Sequence, residues 1–374
     1  MNIGIDIRSL LDPHPSGVGE YTREILEALF RIDQENHYHL FANAADTSHI
    51  PNFNYPNVNT HLFHYPNKLL NLSMRFFNFP KIDALISKHY ALDLFFFPNI
   101  NFAALDKKIP AITTVHDLSY HLVPSFYSLK QRIWHYLVKP KKHLCKSSAI
   151  ISASNHTCKD LQKHFKIAKE LITPIHHGIN NNFFQETNGF ELQQIKIKYN
   201  LPEKFILFVG DQNERKNITT IIEAFDLLKE KDEFKDLHLV MVGKQNKGYP
   251  LPTTNYQLQT SYVPREDRRA LYTLAQAFIY PSYYEGFGLP PLEAMACGTP
   301  VIASHTSSLG EILGNSALLI DPYNVKDLYR ALEQLLTDST LRAKLRQRGR
   351  IQALKYTWDR AARETLAVFK VVKK

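Results

Sequence analysis

Cysteine and long apolar runs are both scarce in this chain of 374 residues. Its three cysteines, Cys145, Cys158 and Cys297, are odd in number and follow no metal-ligand spacing, which argues against a disulfide framework or a zinc site. Apolar runs such as 91–98 fall short of the roughly eighteen residues that a membrane-spanning helix needs. The first residues have neither the basic region nor the apolar stretch of a signal peptide. We therefore expect reduced thiols and a cytoplasmic protein.

Acidic residues are scarce over one long stretch. Residues 61–169 carry sixteen Lys or Arg and five Asp or Glu, whereas residues 1–60 carry three and eight, within a net charge of +9. Such a stretch suits nucleic acid, an anionic membrane surface or a phosphorylated substrate, and it is equally compatible with a solvated face that has no partner. The sequence contains no helix-turn-helix, zinc-finger or RNP-like motif, so we do not expect nucleic acid as a partner.

Short β-rich runs alternate with helical patterns such as 19–32, which is typical of parallel α/β architecture. The strand candidates are 3–7, 38–42, 60–65, 93–98, 111–117, 149–154, 172–177, and then 204–210, 237–243, 256–263, 277–282, 300–304 and 317–321. The length fits two domains, which we place at 1–178 and 179–357. Residues 178–203 are polar apart from one short helical piece, and their composition predicts a linker. The C-terminal helix, 358–374, begins after a plausible N-cap, Thr357, and is expected to pack back on the first domain.

The most informative segment is YYEGFGLPPLEAMACGTPVIAS, residues 283–304. Its glycines follow a strand and let backbone N–H groups approach a ligand, while Pro290 and Pro291 begin a helix whose N-terminus attracts negative charge. Glu285 and Glu293 therefore bracket a loop suited to a polar, phosphorylated ligand. The plainer interpretation is a glycine-rich turn with Glu293 exposed on a helix.

Glu285 and Glu293 in EGFGLPPLE resemble the E-x7-E motif of the retaining GT-B glycosyltransferases, in particular glycosyltransferase family 4, the group 1 transferases. MACGTPVIAS and SLGEILGNSALLIDPYN (308–324) continue this pattern, and the resemblance extends over essentially the whole chain. It implies an α/β GT-B fold, in which two Rossmann-like domains with parallel sheets face each other across a cleft. It also implies that Glu293 holds the donor ribose and that the sugar and diphosphate lie near Glu285, Gly286, Phe287, Gly288 and Leu289.

A second site stands in FVGDQNERKNITTIIEAF, residues 208–225, where Arg215 and Lys216 end a polar loop and could neutralise a diphosphate. Surface Arg-Lys pairs often only aid solubility, but this segment resembles the family's diphosphate-binding loop, which also includes Gly210. Many members have arginine directly after the glycine, where this chain has Asp211. Diphosphate contact therefore rests on Arg215 and Lys216, and both side chains are expected to be accessible.

The first loop of the chain, within PHPSGVGEYTREI (13–25), places Gly17 and Gly19 between the first strand and the first helix, where a Rossmann turn faces its ligand. As a dinucleotide motif this G-x-G is weak. The resemblance implies that Gly17, Val18 and Gly19 approach the donor phosphate or the acceptor.

His116 and Asp117 end another strand, at the edge where such folds bind ligands. With seventeen histidines in the chain, a structural histidine is the ordinary case. The family commonly has a histidine here near the transferred sugar, so the resemblance implies a catalytic role for His116. Weaker candidates are Asn180, Glu311 and, through its backbone at the nucleobase, Val263.

The chain contains no Asp-x-Asp pair, the usual metal-diphosphate ligand of the other large transferase fold. We therefore expect neither a metal nor a cofactor besides the nucleotide sugar, and Arg215, Lys216 and helix N-termini stabilise the leaving diphosphate. We expect retention at the anomeric carbon by same-face attack rather than double displacement through Glu285, with domain closure excluding water.

Relatives of this general kind often transfer mannose from GDP-mannose in surface-polysaccharide assembly. The resemblance thus implies a mannosyltransferase that acts on a glycan or lipid-linked acceptor. A nucleotide-sugar 2-epimerase on the same fold is the alternative, and it would need no acceptor. A sugar-binding module without activity is disfavoured by the intact glutamate pair.

Two segments of the basic stretch, 67–81 and 128–146, mix apolar and cationic residues. Interfacial helices present this mixture to anionic lipid, which predicts docking on the inner leaflet to reach a lipid-linked acceptor. In the alternative, core-packing interpretation, Ile133 and Leu137 face the sheet and the lysines merely point to water.

Overall fold

The computed structural model describes residues 1–12, 16–46, 50–86, 90–244, 249, 251, 256–260 and 263–373. The chain divides into two compact units. One comprises Met1–Gly178 and Thr357–Lys374, and the other comprises Ile179–Tyr356. Each unit has a parallel sheet of its own, flanked by helices.

The sheet of the first unit has seven parallel strands in the order β3-β2-β1-β4-β5-β6-β7. All strands predicted for this part of the chain are present. The strands are β1 Asn2–Asp6, β2 His37–Asn43, β3 Val58–Phe63, β4 Leu94–Phe97, β5 Ala111–Val115, β6 Ala149–Ser152 and β7 Ile172–Pro174. The helices are α1 Gly17–Ile32, α2 Asn67–Phe77, α3 Ile82–Ile86, α4 Ser119–Leu122, α5 Leu129–Val138, α6 Pro140–Leu144 and α7 Asn155–Asp160.

Strand β4 shows why these strands are almost entirely apolar. Phe96 packs in one core cluster with residues of α1, whereas Phe95 and Phe97 pack in another with residues of α2 and α3. Successive side chains of a strand point to opposite faces, so both faces of the sheet are covered at this strand.

The sheet of the second unit has six parallel strands in the order β10-β9-β8-β11-β12-β13. They are β8 Lys204–Val209, β9 Leu237–Val242, β10 Gln257–Thr260, β11 Ala277–Tyr280, β12 Val301–Ser304 and β13 Leu318–Ile320. The strand predicted over 256–263 is therefore shorter, and residues 261–262 lie outside the described residues. The helices are α8 Gly189–Lys198, α9 Ile218–Lys229, α10 Arg265–Leu274, α11 Leu289–Ala296, α12 Ser308–Leu313, α13 Val325–Thr337 and α14 Ser339–Ala353.

The interpretation of residues 178–203 as a linker is wrong, because most of this stretch is an integral part of the second unit. Helix α8 packs on α10, where both Glu191 oxygens accept hydrogen bonds from Nη2 of Arg269 at 2.9 and 2.8 Å. Phe183 and Ile195 are buried. The composition suggested a linker because α8 exposes most of its surface and buries little of its own apolar area.

The last helix, α15 Trp358–Lys373, belongs to the first unit, where it packs against α1. Its N-terminus is capped as predicted, since the N–H of Arg360 donates to Thr357 Oγ1 at 3.2 Å. Among the described residues, no helix combines the length and apolarity that crossing a membrane requires.

Candidate active site

Two loops meet at the carboxyl edge of the sheet of the second unit. One leaves β8 and ends in the 3-10 turn Glu214–Lys216, and the other leaves β11 and leads into α11. Because β8 and β11 are neighbouring parallel strands, the loops that follow them are adjacent. The N–H of Tyr283 donates to the carbonyl of Arg215 at 3.0 Å and joins the two loops.

Glu285 forms ion pairs with both cations of the facing loop. Its Oε1 lies 2.7 Å from Lys216 Nζ, and its Oε2 lies 2.9 Å from Arg215 Nη1. Lys216 also donates to the hydroxyl of Tyr280, and Arg215 Nη1 donates to the carbonyl of Tyr284 at 2.7 Å. Three of the four residues predicted to be catalytic thus form one cluster.

The expectation that Arg215 and Lys216 are both accessible is wrong for Lys216, which is only 7% exposed. An ammonium can leave water here because a carboxylate and the ring of Tyr280, 4.6 Å away, compensate its charge. Burial lowers the pKa of Lys216, and attraction to Glu285 opposes that shift. Burial alone would raise the pKa of Glu285, but Arg215 and Lys216 outweigh it and bring this pKa to about 2.

The depressed pKa of Glu285 predicts acid-sensitive stability. The carboxylate stabilises the fold above its ordinary pKa of 4.5, and this contribution disappears as the pH falls toward about 2. Near neutral pH, we expect the free energy of unfolding of the wild type to be about 3 kcal/mol higher than that of Glu285→Gln. This difference should become smaller as the pH is lowered. Urea unfolding of both proteins across this range measures the gap. Parallel pH curves would contradict the ion-pair assignment.

The loop that carries Glu285 is held in place by the N-terminus of α12, through Ser307 just before this helix and Ser308 at its first position. Ser307 Oγ accepts from the N–H of Glu285 at 2.8 Å, and Ser308 Oγ donates to the carbonyls of Glu285 and Phe287 at 2.8 and 3.1 Å. Gly288, at the start of α11, has φ 105°, a conformation that other residues rarely adopt. The two serines were not predicted as site residues, since their partners come from a loop more than twenty positions away.

Glu293 is buried within α11, so the interpretation that exposes it on a helix is wrong. Its Oε2 accepts from the hydroxyl of Tyr272 in α10 at 2.9 Å. Burial raises the pKa of Tyr272 well above its usual value, so the phenol stays protonated and donates. Sequence reasoning missed Tyr272 and Tyr280, because both occur in apolar runs that indicate only core positions.

The other predicted residues of the second unit occupy several places. Gly210 directly follows β8, Gly286 and Phe287 are buried in the glutamate loop, and Leu289 begins α11. Val263 is buried just before α10, and its carbonyl accepts from Arg268 Nε at 3.4 Å. Of the two weaker candidates, Asn180 caps the start of the 3-10 turn Asn181–Phe184, and Glu311 is exposed on α12.

In the first unit, His116 follows β5 within an aromatic cluster at the carboxyl edge of the sheet. Its ring centroid lies 4.6 Å from that of Tyr21 and 5.3 Å from that of His177. Its Nε2 lies 3.0 Å from the carbonyl oxygen of Pro98. Burial lowers the pKa of His116, and the Pro98 carbonyl and Asp117 oppose that shift. A neutral imidazole is therefore favoured at this edge.

The glycine loop lies at the N-terminus of α1. Ser16 caps the helix by accepting from the N–H of Gly19 at 3.5 Å, while Gly17 is exposed and a Cβ there would meet no atom within 4 Å. Val18 is half-buried. Residues 13–15 of the predicted loop lie outside the described residues. Tyr21 of α1 contacts His116, so the structure brings the start of this helix close to the histidine.

Comparison with known proteins agrees with this architecture. A family described as Glycosyltransferase Family 4 matches residues 15–183, and one described as Glycosyl transferases group 1 matches residues 190–352. O-antigen chain mannosyltransferase B of Escherichia coli is 28% identical over 271 residues, which are 70% of this chain and 70% of that protein. The serotype-specific mannosyltransferase WbdA of E. coli is 29% identical over 58% of this chain, a match that covers 28% of WbdA.

Solved structures give the same fold. Sucrose-phosphate synthase from Thermosynechococcus elongatus superposes with a TM-score of 0.76 at 21% identity, covering 100% of this chain and 99% of that one. The two parallel α/β units are those of the GT-B glycosyltransferase fold. The two family matches together extend over most of the chain, which therefore belongs to glycosyltransferase family 4, the group 1 transferases.

Proposed function

We propose that the second unit binds a nucleotide-sugar donor with its diphosphate at Arg215 and Lys216. The observation that carries this proposal is the buried cluster in which both cations converge on Glu285. Without donor, the carboxylate keeps the cations charged and oriented. A bound diphosphate offers them a second anion, and they then stabilise the charge that develops on the leaving group.

Retention of configuration is part of the proposal. Both oxygens of Glu285 are engaged, Oε1 by Lys216 and Oε2 by Arg215, and its pKa of about 2 makes it a weak nucleophile. Double displacement through Glu285 is therefore disfavoured. We propose same-face attack by the acceptor hydroxyl, which gives its proton to the leaving phosphate as the glycosidic bond to the diphosphate breaks.

The remaining donor and acceptor contacts are assigned by position. Glu293, fixed by Tyr272, would accept from the ribose hydroxyls, and the backbone at Val263 would lie at the nucleobase. In the first unit, Gly17, Val18 and Gly19 would approach the donor phosphate or the acceptor, and His116 with Asp117 would lie near the transferred sugar. The residues of the first unit share one support, which is that they lie in segments that follow the carboxyl ends of parallel strands.

For the substrate, we propose mannosyl transfer from GDP-mannose to a glycan or lipid-linked acceptor in surface-polysaccharide synthesis. Two E. coli relatives, named as mannosyltransferases, support this choice. We further propose a cytoplasmic location with peripheral association at the inner membrane face, and no cofactor besides the nucleotide sugar.

The experiment that tests this function is transfer with GDP-, UDP- and dTDP-sugars, with and without an acceptor glycan. We expect product from GDP-mannose only when acceptor is present. Conversion of the donor sugar without acceptor would instead identify a 2-epimerase. Thermal shifts with each nucleotide sugar measure donor binding separately, since a ligand of the folded state raises Tm.

Metal independence has its own test. The support for it is the absence of an Asp-x-Asp pair from the sequence, together with two cations that can neutralise the diphosphate. We expect turnover to persist in excess EDTA, with at most mild stimulation by divalent ions. Complete loss on chelation, restored by manganese, would overturn the assignment of the diphosphate to Arg215 and Lys216.

A further inference from the structure

Helix α2 of the first unit presents large apolar side chains to solvent. Leu69, Leu72 and Phe76, at positions i, i+3 and i+7, are between 43% and 65% exposed. Phe77 at the end of the helix and Phe79 just beyond it are also exposed. The opposite face of the helix is buried in the core. A surface helix normally places its apolar stripe inward, so a second, outward stripe needs a partner.

Helix α5 repeats this arrangement. Leu129, Ile133 and Tyr136, at positions i, i+4 and i+7, are between 50% and 75% exposed. The core-packing interpretation is therefore wrong for Ile133, while Leu137 is half-buried against the core. In α2 and α5 alike, the outward stripe contains aromatic and aliphatic residues.

The two helices adjoin each other. Arg75 Nε in α2 donates to the carbonyl of Leu137 in α5 at 2.7 Å. Trp134 of α5, which lies off this stripe, is 36% exposed, and its ring lies T-shaped at 5.9 Å from that of Phe102. We name the two stripes and the exposed aromatic residues beside them the apolar patch: Leu69, Leu72, Phe76, Phe77, Phe79, Leu129, Ile133, Trp134 and Tyr136.

The charge around the apolar patch has one sign. The sequence has no Asp or Glu between Asp46 and Asp83 or between Asp117 and Asp160, and both helices lie within these stretches. The exposed cations nearest in the chain are Lys68, Lys130, Arg132, Lys139, Lys141 and Lys142. An anionic bilayer is complementary to the apolar surface and to the positive charge. Its interface accepts Trp, Tyr and Leu side chains, and its headgroups attract cations.

We propose that the apolar patch docks the first unit on an anionic membrane surface. This inference deepens the proposed function, because α5 contacts α4, the helix that follows Asp117, a residue of the proposed acceptor side. The His135 ring stacks on Tyr120 at 4.2 Å and an interplanar angle of 6°. The preceding residue, Ser119, donates from Oγ to Asp117 Oδ1 at 2.6 Å. A docked α5 would therefore hold the edge that carries Asp117 near the bilayer, where a lipid-linked acceptor resides.

The test is co-sedimentation with vesicles of phosphatidylcholine alone or mixed with phosphatidylglycerol, at low and high salt. We expect wild type to bind only the anionic vesicles and to dissociate at high salt. Two variants should each bind at least about tenfold more weakly, one without apolar contacts and one with reversed charges. The first carries Leu69→Ser, Phe76→Ser, Ile133→Ser and Tyr136→Ser, and the second carries Lys130→Glu, Lys141→Glu and Lys142→Glu.

Matched controls replace equally exposed residues of the second unit, and their vesicle binding should equal that of wild type. They are Phe190→Ser, Ile197→Ser, Ile351→Ser and Leu354→Ser for the apolar variant, and Lys326→Glu, Lys344→Glu and Arg348→Glu for the charge variant. Circular dichroism of every protein checks that the fold is retained.

Two results would overturn the docking proposal. One is vesicle binding by the patch variants that equals that of the controls. The other is that the wild type sediments as a dimer without lipid whereas the apolar variant sediments as a monomer, because the patch would then be a subunit interface.

Transfer to a water-soluble acceptor should be unchanged in the patch variants. If wild type transfers to no acceptor but the vesicle results hold, the proposed function fails and the docking surface stands.

Discussion

Replacing Lys216 by alanine is expected to lower the free energy of unfolding by about 3–5 kcal/mol and to reduce turnover at least about a hundredfold. The stability loss arises because Glu285 is buried and would keep only one of its two cationic partners. The turnover loss arises because the leaving diphosphate would lose one of two stabilising charges. Urea unfolding and steady-state transfer assays measure the two effects separately.

Three further variants distinguish charge from packing. Arg215→Ala should lose turnover with a smaller loss of stability, since its side chain is partly exposed. The double variant Lys216→Met with Glu285→Gln removes both buried charges and should recover most of the stability but none of the turnover. Lys326→Ala, an exposed lysine of α13, should match wild type. Near-normal turnover in Lys216→Ala would refute the diphosphate assignment.

Gly243→Ala is expected to cost about 3–5 kcal/mol of stability, or to abolish donor binding if the protein still folds. Gly243 directly follows β9 and has φ +138°, and a Cβ there would lie 2.0 Å from the carbonyl oxygen of Gly210. The obstacle is backbone, which cannot rotate away as a side chain can. The carboxyl ends of β8 and β9 would have to separate where the loop to Arg215 and Lys216 begins.

The matched control is Gly189→Ala, at the first position of α8, where a Cβ would meet no atom within 4 Å. It should leave stability unchanged or raise it slightly, because alanine favours a helix more than glycine does. Thermal unfolding and nucleotide-sugar binding of both variants give the comparison. Wild-type stability and donor binding in Gly243→Ala would show that the strand ends tolerate separation and that their close contact does not shape the donor loop.

Much of the architecture was predictable from the sequence because it depends on local pattern. Every predicted strand corresponds to a strand in the structure, since apolar β-branched runs between turn residues favour buried parallel strands. Residues 178–203 were the exception. Their polar composition suggested a linker, but α8 is held by the Arg269–Glu191 ion pair, whose partners lie 78 positions apart. No local pattern contains such a contact.

The sequence predicted which residues form the candidate site, but not how deeply they are buried or which groups they contact. The E-x7-E spacing and the Arg-Lys pair indicated Glu285, Glu293, Arg215 and Lys216. The burial of Lys216 was not predictable, because it depends on a carboxylate 69 positions away.

The sequence by itself determined the alternation of strands and helices, the likeness to glycosyltransferase family 4, and the residues that carry charge. Only the tertiary structure decided which of those charges are buried, since desolvation depends on every group packed around an atom. It also decided that the stripes of α2 and α5 face outward. Spacing along a helix defines its faces, whereas the neighbouring elements determine which face is covered.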